Sequence, residues 1–275
     1  MTNRNNDRMM APLPPQQTEQ KPQNSLLNFV TPTEFVELPS KGLYYPEGHP
    51  LKGKNTIEVK HMTAKDEDTL SSPSLLKEGV ALDRMLNNII INKQISTDSL
   101  LIGDKNAILI AARKTGYGNV YQTEVICPNC GKKDVHEFGI SQTERVHHGL
   151  VPEHAKLNEK GNFEISLPSS KVNLEIKLLR GEDEKKIIKM ISSQKTSTMI
   201  DHYRMMIVSA NGVTDKKLLF EFIDLMPIKD AAFLKKTYKS LNPNVELKHN
   251  FQCYSCNHTQ ELEVPFGADF FWPNR

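Results

Sequence analysis

The chain has 275 residues, of which 38% are hydrophobic and 25% charged, an ordinary globular balance with length for about two folded units. Lys and Arg number 35 against 33 Asp and Glu, which argues against a broad phosphate-tracking surface, and no apolar run approaches the ~18–20 residues of a membrane span. The N-terminus carries no apolar stretch of a secretory signal, and four cysteines are too few for a disulfide scaffold, so reduced thiols are expected.

Residues 1–28 are rich in Asn, Gln, Pro and Met without apolar periodicity, which predicts a disordered arm, either simply loose or ordered by a partner. A mostly helical domain is expected over 29–120. It opens with turns through Leu38-Pro39-Ser40-Lys41-Gly42 and Tyr45-Pro46, then a short alternating strand, Ile57 to Lys60. Thr63 and Asp66 approximate a capping box, so Asp66, Glu67 and Asp68 read as the acidic first turn of a helix rather than a carboxylate site. Leu82, Met85, Leu86, Ile89 and Ile90 share one face of a helix over 80–93. A further helix is predicted from after Asp104 to a left-handed cap at Gly116. Gly116-Tyr117-Gly118 lacks the Gly-Lys-Ser/Thr ending of a phosphate loop.

Strands over 121–126 and 134–138 flank Cys127-Pro128-Asn129-Cys130-Gly131. A polar connector carrying His147, His148 and His154 leads to a hairpin, 163–167 with 172–179, turning at Pro168-Ser169-Ser170. Arg180-Gly181-Glu182-Asp183-Glu184 reads as a strand end and an acidic helix start. Helices follow over 182–194, 198–210 (ending at Asn211-Gly212), 216–225 and 227–241. The chain then returns to strand over 245–251, meets Cys253-Tyr254-Ser255-Cys256, continues as strand over 260–265 and closes in an aromatic tail, 267–275. Phe270, Phe271 and Trp272 either cap the core or anchor a partner.

The two C-x-x-C pairs carry the chemistry. Each tight turn lets two thiolates approach one ion at ~2.3 Å, and two such turns supply the tetrahedron of a structural zinc. Cys127, Cys130, Cys253 and Cys256 are therefore the candidate ligands of a structural Zn²⁺ in a ribbon split between 121–139 and 245–266. The 122 residues between Cys130 and Cys253 are long for a ribbon and imply an inserted hairpin-plus-helices domain over 140–244. The fold class expected is α+β. A dithiol redox site would place a pair at a helix start, and neither pair precedes a helical pattern. A disulfide would need an oxidising compartment, and catalytic zinc would need an open coordination position. Zinc ribbons also serve nucleic-acid machines, but Lys132, Lys133 and Lys248 are a thin basic presence here, so nucleic-acid binding stands as the alternative function. His258 could tune a sulfur from outside the ligand set. No nucleophile elbow, Walker motif or kinase set is present, so no catalytic or cofactor-binding residue and no small-molecule substrate are assigned.

Several of these segments resemble the baseplate hub and hub-assembly proteins of T-even-type contractile-tailed bacteriophages. The resemblance is carried by Glu37-Leu38-Pro39-Ser40-Lys41-Gly42 with Tyr45-Pro46, by Thr63-Ala64-Lys65-Asp66-Glu67-Asp68, and by Gly103-Asp104-Lys105-Asn106-Ala107. Arg113 through Gly116-Tyr117-Gly118 and the knuckle at 127–130 complete it, over about residues 35–140. It implies a non-enzymatic tail morphogenesis protein, made in the host cytoplasm, partnered by other baseplate or hub proteins and either kept in the tail or released after assembly.

Overall fold

The helix α4 (Ile102–Tyr117) is buried on every side through its middle turns, although its sequence is apolar only from Ala107 to Ala112. Gly103, Ala107, Ile108, Leu109, Ile110, Ala111, Ala112 and Arg113 are all buried along it. The computed structural model describes residues 31–194, 199–263 and 268–271, with side chains 191–194, 268 and 269 left aside; the expected arm 1–28 and Trp272 lie outside these. Pro32 to Arg275 clusters as one compact unit, and one apolar core runs from Val36 to Phe271.

Antiparallel strands β1 (Thr33–Glu37) and β2 (Thr56–Lys60) pair with Val36 opposite Ile57. Helices α1 (Ala64–Ser71), α2 (Pro73–Lys77) and α3 (Ala81–Ile89) follow. Asp66 accepts from the Thr63 backbone N–H at 2.9 Å and hydroxyl at 2.7 Å, the local closure expected from the sequence. Helix α3 stops short of the expected Lys93 because Ile90 turns away to bridge Val59. The Lys93 ammonium then caps the open helix end, donating to the carbonyls of Asn87 and Ile90 at 2.8 and 2.6 Å.

The next elements are β3 (Val120–Ile126), β4 (Lys133–Gly139), the short helix α5 (Ile140–Thr143) and β5 (Glu144–His147). Strands β6 (Ala155–Leu157), β7 (Phe163–Ser166) and β8 (Asn173–Ile176) lead to helices α6 (Gly181–Gln194) and α7 (Met199–Met206). Then come β9 (Ile207–Ala210), α8 (Lys216–Asp224), α9 (Ile228–Leu241), β10 (Asn244–Gln252), β11 (Thr259–Glu263) and a 3₁₀ turn, Ala268–Phe271. The strands form the pairs β1–β2 and β3–β4, a three-stranded sheet β11-β10-β5 and a four-stranded sheet β6-β7-β8-β9. The architecture is α+β. Among the described residues no helix is long and apolar enough to cross a membrane.

Three expectations are corrected. Helix α4 passes through Gly116 and ends at Gly118, whose φ of +83° and ψ of 176° form an extended glycine exit rather than the left-handed helical cap expected. The helix expected to reach Ala210 stops at Met206, because Ile207 to Ala210 add a fourth strand beside β8, with Leu174 opposite Ala210. The polar connector contains β5, pairing Val146 with Val245 of β10.

Buried polar pins complete the core. Asp104, at the start of α4, accepts from the Ser40 backbone N–H at 3.0 Å, the Ser40 hydroxyl at 2.6 Å and the Tyr45 hydroxyl at 2.8 Å. Burial holds its carboxyl above the ordinary carboxylate range, against the lowering effect of these donors. Gly42, at φ +69°, lets the same loop close: a Cβ there would lie 2.3 Å from the Leu51 carbonyl oxygen. Lys105 is buried between Asp83 of α3 and Glu184 of α6, 2.6 Å from each. Asp230 of α9 accepts the backbone N–H groups of Ser169 and Ser170 at 2.7 and 2.9 Å, fixing the β7–β8 turn.

Arg113 is fully buried, and among the described residues no carboxylate faces it. It donates from Nε to the Phe270 carbonyl at 2.8 Å, from Nη1 to Gly118 at 2.7 Å and from Nη2 to Val120 at 2.9 Å. The rings of Tyr117, Tyr121 and Phe270 surround its guanidinium. One side chain thus ties together the central helix, the root of the first cysteine hairpin and the C-terminal turn. Phe270 and Phe271 are buried there, as the core-capping alternative expects.

Candidate metal centre

The two cysteine hairpins are built alike to the residue. In the first, β3 ends at Ile126 and β4 begins at Lys133; in the second, β10 ends at Gln252 and β11 begins at Thr259. The Cys127 N–H donates to the Lys132 carbonyl and the Gly131 N–H to the Cys127 carbonyl, at 2.8 and 2.9 Å. The Cys253 N–H donates to the His258 carbonyl and the Asn257 N–H to the Cys253 carbonyl, at 2.9 and 3.0 Å. Gly131 and Asn257 both take the left-handed conformation, φ +71° and +54°. That turn is what brings each pair of sulfurs to one side.

The structure brings all four sequence-identified cysteines together, their sulfurs lying within 4.8 Å of one another. Across the two hairpins, Cys127 Sγ lies 3.7 Å from Cys256 Sγ, and Cys130 Sγ lies 3.7 Å from Cys253 Sγ. A disulfide would need ~2.05 Å. A tetrahedron with ~2.3 Å zinc–sulfur bonds has edges of ~3.8 Å, so the donor set fits a four-thiolate ion in spacing as well as in chemistry. Both pairs are followed by strands rather than helices, so neither has the helix dipole that activates a redox thiol.

Cys127 and Cys253 are buried, Cys256 is half-buried and Cys130 is exposed. As a thiol, Cys256 is drawn down to about 6 by the His258 backbone N–H and then by the Asn129 amide, which donates to its sulfur at 3.6 Å. At Cys130 the Lys132 backbone N–H also lowers, but burial and the three neighbouring sulfurs outweigh it and push the thiol up to about 12. A cation among the sulfurs would relieve that crowding. The His258 ring turns to Gln260, so this residue acts on the sulfur through its backbone rather than its imidazole. His147 and His148 face the backbone carbonyls of Asn242 and Pro39, each at 3.1 Å, away from the cysteines.

A small apolar cluster supports the sulfurs, with Phe251 buried between Cys127 and Cys253 and Val125 and Leu262 packed on it. His136 stacks on Tyr254 at 4.6 Å and meets Phe251 edge-on at 4.7 Å, joining the two hairpins. Sequence reasoning missed Asn129, Asn257 and this stack. Asn257 had a signal: it follows Cys256 as Gly131 follows Cys130, and Asn is the residue after Gly most tolerant of that backbone.

The fold and site together define an α+β protein carrying a split pair of facing thiol knuckles. The sequence model described as T4 bacteriophage base plate protein matches residues 34–272, most of the chain, and the protein belongs to that family. No curated protein and no solved structure matches it. The segments that carried the resemblance meet in space: the Ser40 and Tyr45 loop docks on Asp104, and Arg113 reaches to Gly118.

Proposed function

We propose that this base plate protein is a non-enzymatic hub subunit or hub-assembly factor that works through protein–protein contacts and is braced by one structural zinc. Cys127, Cys130, Cys253 and Cys256 are its ligands in this reading, and four thiolates close the coordination shell, leaving no position for substrate. The observation that carries the reading is the 3.7 Å sulfur–sulfur spacing between hairpins 122 residues apart in sequence. Zinc here would hold those hairpins together and leave the remaining surface to partners. In the same reading 121–139 and 245–266 form the split ribbon, 29–120 and 140–244 are the folding segments it gathers, and 267–275 is the closing tail. The protein is made in the host cytoplasm and acts in tail assembly there.

Metal analysis of the purified protein is expected to return one zinc per chain. Co-purification from infected cells is expected to recover other tail proteins, and mass spectrometry of mature virions against assembly intermediates separates a resident subunit from a factor that leaves. Protein free of metal, or recovered without any tail component, overturns the corresponding half of the reading.

A further inference from the structure

Between the last turns of α9 and the β5–β10 strands lies a cleft of about 400 Å³ whose lining includes Arg145, His147, Lys236, Lys239, Glu246 and Lys248. Four fixed cations meet one carboxylate there, an excess of three positive charges in a chain whose whole formal charge is +2. Much of the cleft's positive charge is uncommitted. Lys248 pairs with Glu246 at 2.7 Å and also feels Glu261 and Glu263 of β11. Lys236, Lys239 and Arg145 make no direct ion pair among the described residues, although Lys239 acts on Glu246 at longer range, and Arg145 donates to the carbonyls of Gln142 and Glu144. The negative end of the α9 dipole accounts for a lysine in its last turn, and Arg145 lies opposite Glu246 in the β5–β10 register, but that one carboxylate is shared among four cations.

We infer that this cleft binds a carboxylate-rich segment of a partner protein. Converging Lys and Arg side chains make charge-assisted hydrogen bonds to carboxylates, and Arg can do so through two parallel donors. Single-stranded nucleic acid would call for aromatic platforms on which bases stack, and among the described residues Phe, Tyr and Trp are missing from the cleft lining. A duplex would call for a basic track along many phosphates, which a near-neutral chain does not supply. That the partner is a tail protein rests on the hub reading above; the charge of the cleft does not.

The test uses the full-length, zinc-loaded protein and a fluorescent deca-glutamate peptide, followed by anisotropy at low salt. The Lys236→Glu/Lys239→Glu variant is expected to lose at least about tenfold in affinity, because both lysines are exposed cations whose attraction, little screened at low salt, turns repulsive. Lys65→Glu/Lys156→Glu, an equal charge change on exposed sites elsewhere, is expected to stay within about twofold, since distant charges are screened. If the first variant melts early, Lys236→Gln/Lys239→Gln is read in its place and is expected to lose several-fold. Equal losses in both charge variants, no peptide binding by the parent protein, or tighter binding of a single-stranded oligothymidylate would each overturn the assignment, the last by giving the cleft to nucleic acid. A negative peptide result alongside recovered tail partners would leave the hub reading standing, so the two can fail separately.

Discussion

Around α4, Leu, Ile and Phe side chains close over a helix buried on every face, whereas at the knuckles the buried cluster is Cys127, Phe251 and Cys253. The first region has enough apolar surface to hold itself together, at roughly 1.5–3 kcal/mol for each large side chain removed from water. The second does not, and instead its strands expose Ile126 and Val135 and its turn exposes Tyr254. In the proposed reading, a metal cross-link at the sulfurs would supply there what packing supplies in the body. The body's own weak points are polar, at the places where Arg113, Asp104 and Asp230 bind loop or turn backbone.

The largest expected effect follows from breaking the cross-link. Structural zinc is worth an apparent ~10–16 kcal/mol in finger peptides. Chelation, or Cys253→Ser, should therefore release amide-exchange protection over residues 120–139 and 248–263 while α4 keeps its own. Hydrogen exchange by mass spectrometry reads this directly, and equal loss in α4 would abolish the distinction between the regions.

Next comes Arg113→Ala, which strips donors from three carbonyls and empties an aromatic cage; about 3–4 kcal/mol of global stability should go. Arg113→Lys should recover only part of it, because an ammonium cannot serve three diverging acceptors with a planar fork. Denaturant unfolding of both variants checks the order. Asp104→Ala leaves the Ser40 N–H and two hydroxyls without their acceptor inside the core and should cost about 2–3 kcal/mol. Its unfolding should remain cooperative, with amide protection at the cysteine hairpins unchanged.

The smallest effect is in acid. Burial alone would raise the Asp230 carboxyl, but the donors of Ser169 and Ser170 outweigh it and hold it below the ordinary range. A carboxylate depressed by folding contributes stability above its unfolded value of ~3.9, and that contribution is lost as pH falls through the lower folded value. Asp104 has the opposite sign, its raised carboxyl giving a contribution that is present in acid and fades as pH rises through the folded value. Urea midpoints from pH 5 down to 2.5 should therefore fall less for Asp230→Asn than for the parent protein.

What could be read from sequence follows the same division. The cysteine pairs were legible because four thiols at two-residue spacing are rare and chemically specific, and the flanking strands alternate. Helices with one apolar stripe, such as α3, were legible by period. The strand β9 was not: Met205-Met206-Ile207-Val208 is a continuous apolar run that suits either period, and only pairing with β8 decides it. Strand β5 was hidden because its partner β10 lies about a hundred residues on. The pins at Ser40–Asp104 and Asp230 have no periodicity at all; the former segments stood out only through family resemblance, and their contact became visible in three dimensions.

Strand β10 belongs to both regions, Asn244–Leu247 pairing with β5 in the body and Lys248–Gln252 with β11 beneath the knuckle. Its root is seated against α4, where a Cβ on Gly103 would lie 1.9 Å from the Pro243 carbonyl oxygen. Any side chain at position 103 would therefore push on the start of the strand that ends at the second cysteine pair, so a substitution in the central helix is felt along one stretch of backbone that reaches the thiols.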